Sequence, residues 1–177
     1  FAQRELDLPD EDTEYQMYED TAEILGTYGY QQYEISNYAK PGYMCRHNAG
    51  YWQRREYLGF GLGASSLYRE LRFSNTRRMQ EYLTDSGKLE QIRKEVTVLS
   101  RNEQIEEFMF LGLRMTEGIS EKLFKETFGV RIMDIYGDIL QKYEAIGFME
   151  HIETKWCLTR KGIHVSNHIL ADFLLDE

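Results

Sequence analysis

The sequence predicts an α/β unit followed by a mostly helical, winged-helix-like module. Two observations carry that expectation. Early in the chain, apolar and aromatic residues recur at helical spacing and give way to a short run with strand character, the repeating half of an α/β architecture. From residue 100 onward, three helical patterns, two short strand patterns and a closing helical pattern follow one another.

In the first unit, Phe1 to Asp12 reads as a loop leading into a helix. Asp12 or Thr13 is its expected cap, and acids in the first turn complement the helix dipole. Tyr15, Tyr18, Ala22 and Leu25 recur at helical spacing until Gly26 and Gly29 stop the run, and Tyr15 and Tyr18 are expected in the core. Tyr30 to Ser36 is expected to be a strand with Tyr33 and Ile35 on one face. Asn37 to Trp52 contains Pro41, Gly42 and Gly50 without a clear period, and reads as a long ordered loop of the kind that is often functional. Tyr57 to Leu67 reads as a short buried strand running into a glycine turn, and Met79 to Ser86 as a helix. Ser86, Gly87 and Lys88 mark the expected crossing, so that 1–88 and 89–177 form the two units.

In the second unit, Ser100-Arg101-Asn102-Glu103 is a capping-box pattern, and Ile105, Phe108, Met109 and Gly112 follow on one helical face. Ser120 is the expected cap of a helix carrying Leu123, Phe124 and Phe128 and ended by Gly129. A third helix carries Ile132, Ile135, Ile139, Tyr143 and Ile146 and ends at Gly147. Phe148, His151 and Ile152 suggest one strand and Trp156 to Leu158 another, with Glu153, Thr154 and Lys155 turning between them. Thr159 is the expected cap of a final helix through Ile163, Leu170 and Phe173.

The 177 residues are 42% hydrophobic and 29% charged, a globular composition. No apolar run approaches the roughly 20 residues that span a bilayer. No basic-then-apolar leader opens the sequence, and Phe1 in place of Met suggests that residues precede it. Cys45 and Cys157 stand far apart and form no ligand cluster, a usage that suits a reducing compartment such as the cytoplasm. The net charge of -9 hides a change of sign along the chain. Residues 40–94 hold eleven bases against five acids, and a basic section of this kind suits an anionic partner. Residues 95–177 hold nine bases against fifteen acids, which argues against nucleic-acid binding by the second unit.

One stretch of the expected loop has the chemistry of a tetrapyrrole cradle. His47 offers a ring nitrogen to a metal or a hydrogen bond. Tyr51 and Trp52 offer broad aromatic faces. Arg46, Arg54 and Arg55 flank them and suit carboxylates through bidentate hydrogen bonds. Heme, a flat apolar iron-containing ring with anionic arms, matches that set; the same His also suits a structural role among aromatics. Cys45 is open to two readings, an alternative ligand or a structural thiol. His164 and His168 have the i, i+4 spacing of metal ligands, without an H-E-x-x-H pattern, and a surface or capping role is expected of them. The glycines of Gly59-Phe60-Gly61-Leu62-Gly63-Ala64 either let backbone approach a ligand closely or close a turn.

Three runs in order, Tyr33-Glu34-Ile35-Ser36-Asn37-Tyr38-Ala39-Lys40-Pro41-Gly42, His47-Asn48-Ala49-Gly50-Tyr51-Trp52 and Gly59 to Ala64, together resemble the HemN/HemW family of radical-SAM proteins, and its HemW branch most. The resemblance covers essentially the whole chain. It implies that residues 1–88 are the C-terminal portion of a partial (β/α) radical-SAM barrel and that residues 89–177 are a HemN-type, winged-helix-like C-terminal domain. It implies heme contact at His47, Asn48, Tyr51 and Trp52, with His47 the candidate iron ligand, and S-adenosylmethionine near Tyr38, Ala39, Gly61, Gly63 and Ala64. A 4Fe-4S cluster belongs to the full-length proteins, on a cysteine loop that this chain lacks, so the segment alone is expected to carry no radical chemistry. The function implied is heme trafficking to an apo-heme-protein acceptor. The alternative is oxygen-independent coproporphyrinogen III oxidation in porphyrin biosynthesis. Ser36-Asn37 stands where the oxidase branch carries an acidic-His pair, which favours the HemW branch. Ser65 stands where HemW-like chains carry a His, which removes that residue from any inherited role.

Overall fold

Helix α1 (Glu11–Thr27) begins at Asp10, in a computed structural model that describes residues 8–175. Asp10 is in extended backbone and its carboxylate accepts from the Thr13 N–H at 2.8 Å. The cap therefore precedes the expected Asp12 or Thr13: only a residue outside the helix can turn its side chain back onto the first free N–H groups. Most of the expected opening loop lies outside the described residues. The helix runs through Gly26, and Gly29, at φ +79°, ends it. No residue of α1 is buried, so Tyr15 and Tyr18 are not core residues; they pack on His164 instead.

Strands β1 (Gln31–Glu34) and β2 (Asn37–Ala39) form an antiparallel hairpin. Its register slips between Gln32 and Glu34. The residue driven fully inside is Glu34, while Tyr33 and Ile35, expected on one strand face, are partly buried and Ile35 lies beyond the strand. The expected loop from Asn37 to Trp52 is in fact β2 followed by helix α2 (Arg46–Trp52). No β-branched residue interrupts α2, and Ala49 anchors it in the interior.

Strand β3 (Ser65–Tyr68) starts later than the apolar pattern implied, and Tyr57 contributes only a single bridge to Leu67. β3, β4 (Leu71–Asn75) and β5 (Arg93–Val98) form an antiparallel sheet in that order, with α3 (Met79–Asp85) and α4 (Leu89–Ile92) between the last two. Pairing of β5 with β4 carries this sheet on to Val98. All strand pairs among the described residues are antiparallel.

Helix α5 (Arg101–Gly112) opens with the expected capping box of Ser100 and Glu103. Ser120 caps α6 (Glu121–Phe128), which Gly129 ends in the left-handed conformation, and α7 (Ile132–Ala145) follows. β7 (Met149–Ile152) and β8 (Lys155–Leu158) make the expected hairpin, with Lys155 in the strand and not in the turn. A two-residue strand β6 (Ile119–Ser120) adds to β8, a pairing too short to show a period. The closing helix is two helices, α8 (Arg160–His164) and α9 (Ser166–Ala171), broken at Val165. The break lets His164 face α1 while Ile169 and Phe173 enter the core. That core gathers Met109, Leu113, Phe124, Tyr136, Leu140 and Tyr143 with them, all essentially inaccessible to solvent.

Contacts distant in sequence tie the first hairpin and α1 to the later helices. Backbone bonds link Ile35 N–H to the Arg114 carbonyl (3.0 Å) and Thr116 N–H to the Tyr33 carbonyl (3.1 Å). Glu19 of α1 accepts from Arg160 at 2.7 Å and lies 2.7 Å from His164 Nε2. No helix among the described residues is long and apolar enough to cross a membrane.

Candidate functional site

Helix α2 sorts the aromatic motif onto two faces. His47 and Tyr51 are i, i+4 neighbours on one of them. Tyr51 Oη lies 2.8 Å from His47 Nε2, and their rings meet edge-on at 4.6 Å. Tyr51 then meets Tyr57 edge-on at 4.6 Å, which extends the aromatic wall. On the other face, Asn48 donates to the Tyr33 hydroxyl at 3.2 Å. The Trp52 ring lies against the Arg114 guanidinium, 4.3 Å from its centroid. A groove of about 380 Å³ runs between α2 and α5, lined by Asn48, Tyr51, Trp52, Tyr57, Arg72 and Phe110 among others. The structure therefore brings Asn48, Tyr51 and Trp52 to one opening, and His47, which is exposed, joins them through Tyr51.

The three arginines differ. Arg54, in left-handed backbone at φ +50°, has a largely covered side chain held in an ion network. Its Nε donates to Glu107 at 3.0 Å and an Nη to Glu70 at 2.6 Å. Arg46 and Arg55 are exposed and form no ion pair among the described residues. Sequence reasoning missed Arg72 of β4, which lines the groove and donates to the other oxygen of Glu107 at 2.6 Å. Burial pushes the Tyr57 phenol up, and the charge of neighbouring Arg72 opposes that shift. The basic balance of residues 40–94 included Arg72, but no spacing tied it to the motif. Cys45 occupies the N-cap position of α2, exposed and without a side-chain capping bond.

Beneath α2 lies a buried polar knot. Glu34 is wholly buried; Asn37 donates to one of its oxygens, and the other lies 3.7 Å from Arg114. That second oxygen, Arg114 Nε and Trp52 Nε1 have no hydrogen-bond partner among the described residues.

The residues carried over for S-adenosylmethionine occupy two elements. Tyr38 and Ala39 lie on β2, and burial pushes the Tyr38 phenol up. Gly61, Gly63 and Ala64 lie in the irregular segment before β3. Asn75 pins that segment by donating to the carbonyls of Gly59 (3.2 Å) and Gly61 (3.0 Å), and the Gly61 N–H donates to the Tyr82 hydroxyl at 3.2 Å. Gly61 and Gly63 take positive φ, so both glycines answer to the turn itself. His164 and His168 sit on separate helices; His164 bonds Glu19 under the Tyr15 ring (4.1 Å between centroids), and the metal-capable spacing is not realised as a pair.

A family model described as the HemN C-terminal domain matches residues 99–165. Heme chaperone HemW of Lactococcus lactis subsp. lactis (strain IL1403) is 36% identical over 172 residues, covering 97% of this chain and 45% of that protein. The chain belongs to the HemN/HemW family. Other members agree: heme chaperone HemW of Bacillus subtilis (strain 168) is 34% identical over 96% of this chain and 45% of its own length. Heme chaperone HemW of Escherichia coli (strain K12) is 30% identical over 99% of this chain and 46% of its own length. The chain spans about half the length of the curated relatives it matches. Among solved structures, coproporphyrinogen III oxidase (HemN) from Escherichia coli, a radical SAM enzyme, superposes with a TM-score of 0.74 over 97% of this chain and 43% of that one. At 16% identity that likeness shows a shared fold.

Proposed function

We propose that this chain is the heme-handling part of a HemW-type heme chaperone. One observation supports the reading above the others: α2 places Tyr51 and Trp52 on one groove and holds His47 against Tyr51, so a metal-capable nitrogen and two aromatic faces lie together. On this reading His47 is the heme-iron candidate, Asn48, Tyr51 and Trp52 line the ring, and exposed Arg46 and Arg55 serve the anionic rim. Arg54 takes no part in contact, because Glu107 and Glu70 occupy it. The full-length protein supplies a 4Fe-4S cluster and S-adenosylmethionine, with Tyr38, Ala39, Gly61, Gly63 and Ala64 as the contributions of this segment. An apo-heme protein is the acceptor. Residues 1–88 are read as the C-terminal portion of the partial radical-SAM barrel and 89–177 as the winged-helix-like C-terminal domain, with β5 (Arg93–Val98) of the latter pairing back onto β4 of the former. The two free thiols suit the cytoplasm.

The relative with a solved structure favours a second reading, oxidation of coproporphyrinogen III. Ser36-Asn37 weighs against it: Asn37 is bound to buried Glu34 at the hairpin turn, a structural task. Titration of the full-length protein with ferric heme, read by absorbance, tests the proposal. Wild type is expected to bind and His47→Ala to bind at least about tenfold more weakly or with a changed Soret band, as expected for losing a metal ligand. Equal binding and equal spectra would remove His47 from the site.

A further inference from the structure

Arg72 is the cationic side chain lining the groove, and it keeps donors beyond its bond to Glu107. We propose that Arg72 anchors a carboxylate arm of the tetrapyrrole bound along α2, with Glu107 holding its guanidinium in position. This rests on the heme reading above and adds to it the residue that meets the acidic edge of the ligand.

Geometry carries the assignment. Arg72 lines the same groove as Asn48, Tyr51 and Trp52, and its side chain is 39% exposed, whereas that of Arg54 is 10% exposed. A single Nη of Arg72 is spent on Glu107 Oε1, at 2.6 Å. Guanidinium presents five N–H donors in a planar fork, so an edge remains for a second carboxylate. Glu107 is not free to leave, because Arg54 grips its Oε2 at 3.0 Å. Arg72 is thereby fixed before any ligand arrives, and little side-chain entropy is lost on binding. Tyr57 lines the groove beside Arg72, so its hydroxyl is a neutral donor within reach of the ligand's carboxylate. The walls are Leu67, Phe110 and Leu111, which suit the apolar ring carrying the arm. The local cluster holds two guanidinium groups and two carboxylates: Glu70 is bonded to Arg54, and Glu107, which also lines the groove, is bonded to both arginines. Arg72 is therefore the cation of this network on the groove.

The test compares ferric heme with its dimethyl ester, which keeps the ring and iron but has no ionisable arm. Both are titrated into full-length wild type, Arg72→Gln, Arg72→Lys and Tyr57→Phe. Loss of a charge-assisted hydrogen-bond pair predicts about ten- to hundred-fold weaker heme binding by Arg72→Gln. Arg72→Lys is expected between it and wild type, since a point charge replaces a fork. Ester binding is expected to be the same for wild type and Arg72→Gln. Heme binding by Arg72→Gln that matches wild type overturns the assignment, as does an equal loss of heme and ester, which would mark a packing role. If Arg72→Gln unfolds, Tyr57→Phe carries the test: it must weaken heme and spare the ester. Failure of wild type to bind either probe sinks the heme reading and this inference together.

Discussion

Replacing Glu107 with alanine removes both oxygens through which α5 grips β4 and the segment after α2. The side chains of Arg54 and Glu107 are each about nine-tenths buried, so the change leaves one guanidinium desolvated. Breaking a buried pair from one side costs about 3–5 kcal/mol. Two features lower that figure here: Arg54 keeps half-exposed Glu70, and Arg72 reaches solvent. We expect a loss of about 2–3 kcal/mol, which for a unit of this size lowers Tm by about 4–12 °C. Urea and thermal denaturation of wild type, Glu107→Ala, Arg54→Ala and the double variant measure both the loss and the coupling. A coupling of at least about 1 kcal/mol is expected for residues in one network. A loss from Glu107→Ala of under about 0.5 kcal/mol, the scale of an ordinary surface substitution, would refute the view that this network braces the groove.

Two further outcomes follow from local geometry. Gly118 takes φ +66°, and a Cβ there would lie 2.2 Å from the Trp156 carbonyl oxygen. Gly118→Ala is expected to cost about 2–5 kcal/mol, from left-handed strain plus overpacking, and to unpair β6 from β8; unchanged thermal stability would contradict this. Hydrogen bonds from Lys142 and then Tyr143 hold the Asp172 carboxyl below the ordinary aspartate range. Because the folded value is the lower one, this stabilisation is present above the unfolded value and is lost as pH falls through the folded one. Asp172→Asn is expected to lower stability at neutral pH and to flatten its decline below about pH 4, seen in urea midpoints across that range. Parallel pH profiles for the two proteins would count against the contact.

The second unit was largely legible because its punctuation is local. Ser100, Ser120 and Thr159 cap the helices they were expected to cap, and Gly129 ends α6 where its left-handed φ is needed. In the first unit the informative contacts are distant in sequence. Helix α2 has seven residues, too few for a period to emerge, and Pro41, Gly42 and Gly50 made its surroundings look like loop. The burial of Glu34 depends on a register slip that alternation cannot foresee. Arg54 looked like a ligand contact beside Trp52, yet its partner Glu107 lies on α5, and Arg72 reaches the groove from a separate sheet. Residue types located the motif, and tertiary contacts decided which arginine is available.

The main-chain stitching of the first hairpin to residues 114–116 limits how the molecule can move. A swinging cap would have to tear a strand-like join as well as the Glu19 clasp on the last helices. On the proposed heme reading, a ligand would enter and leave along the groove beside α2 without such a swing. A chimera that transplants only residues 99–175 into a distant relative leaves half of that join behind, so its success depends on bringing residues 31–39 along.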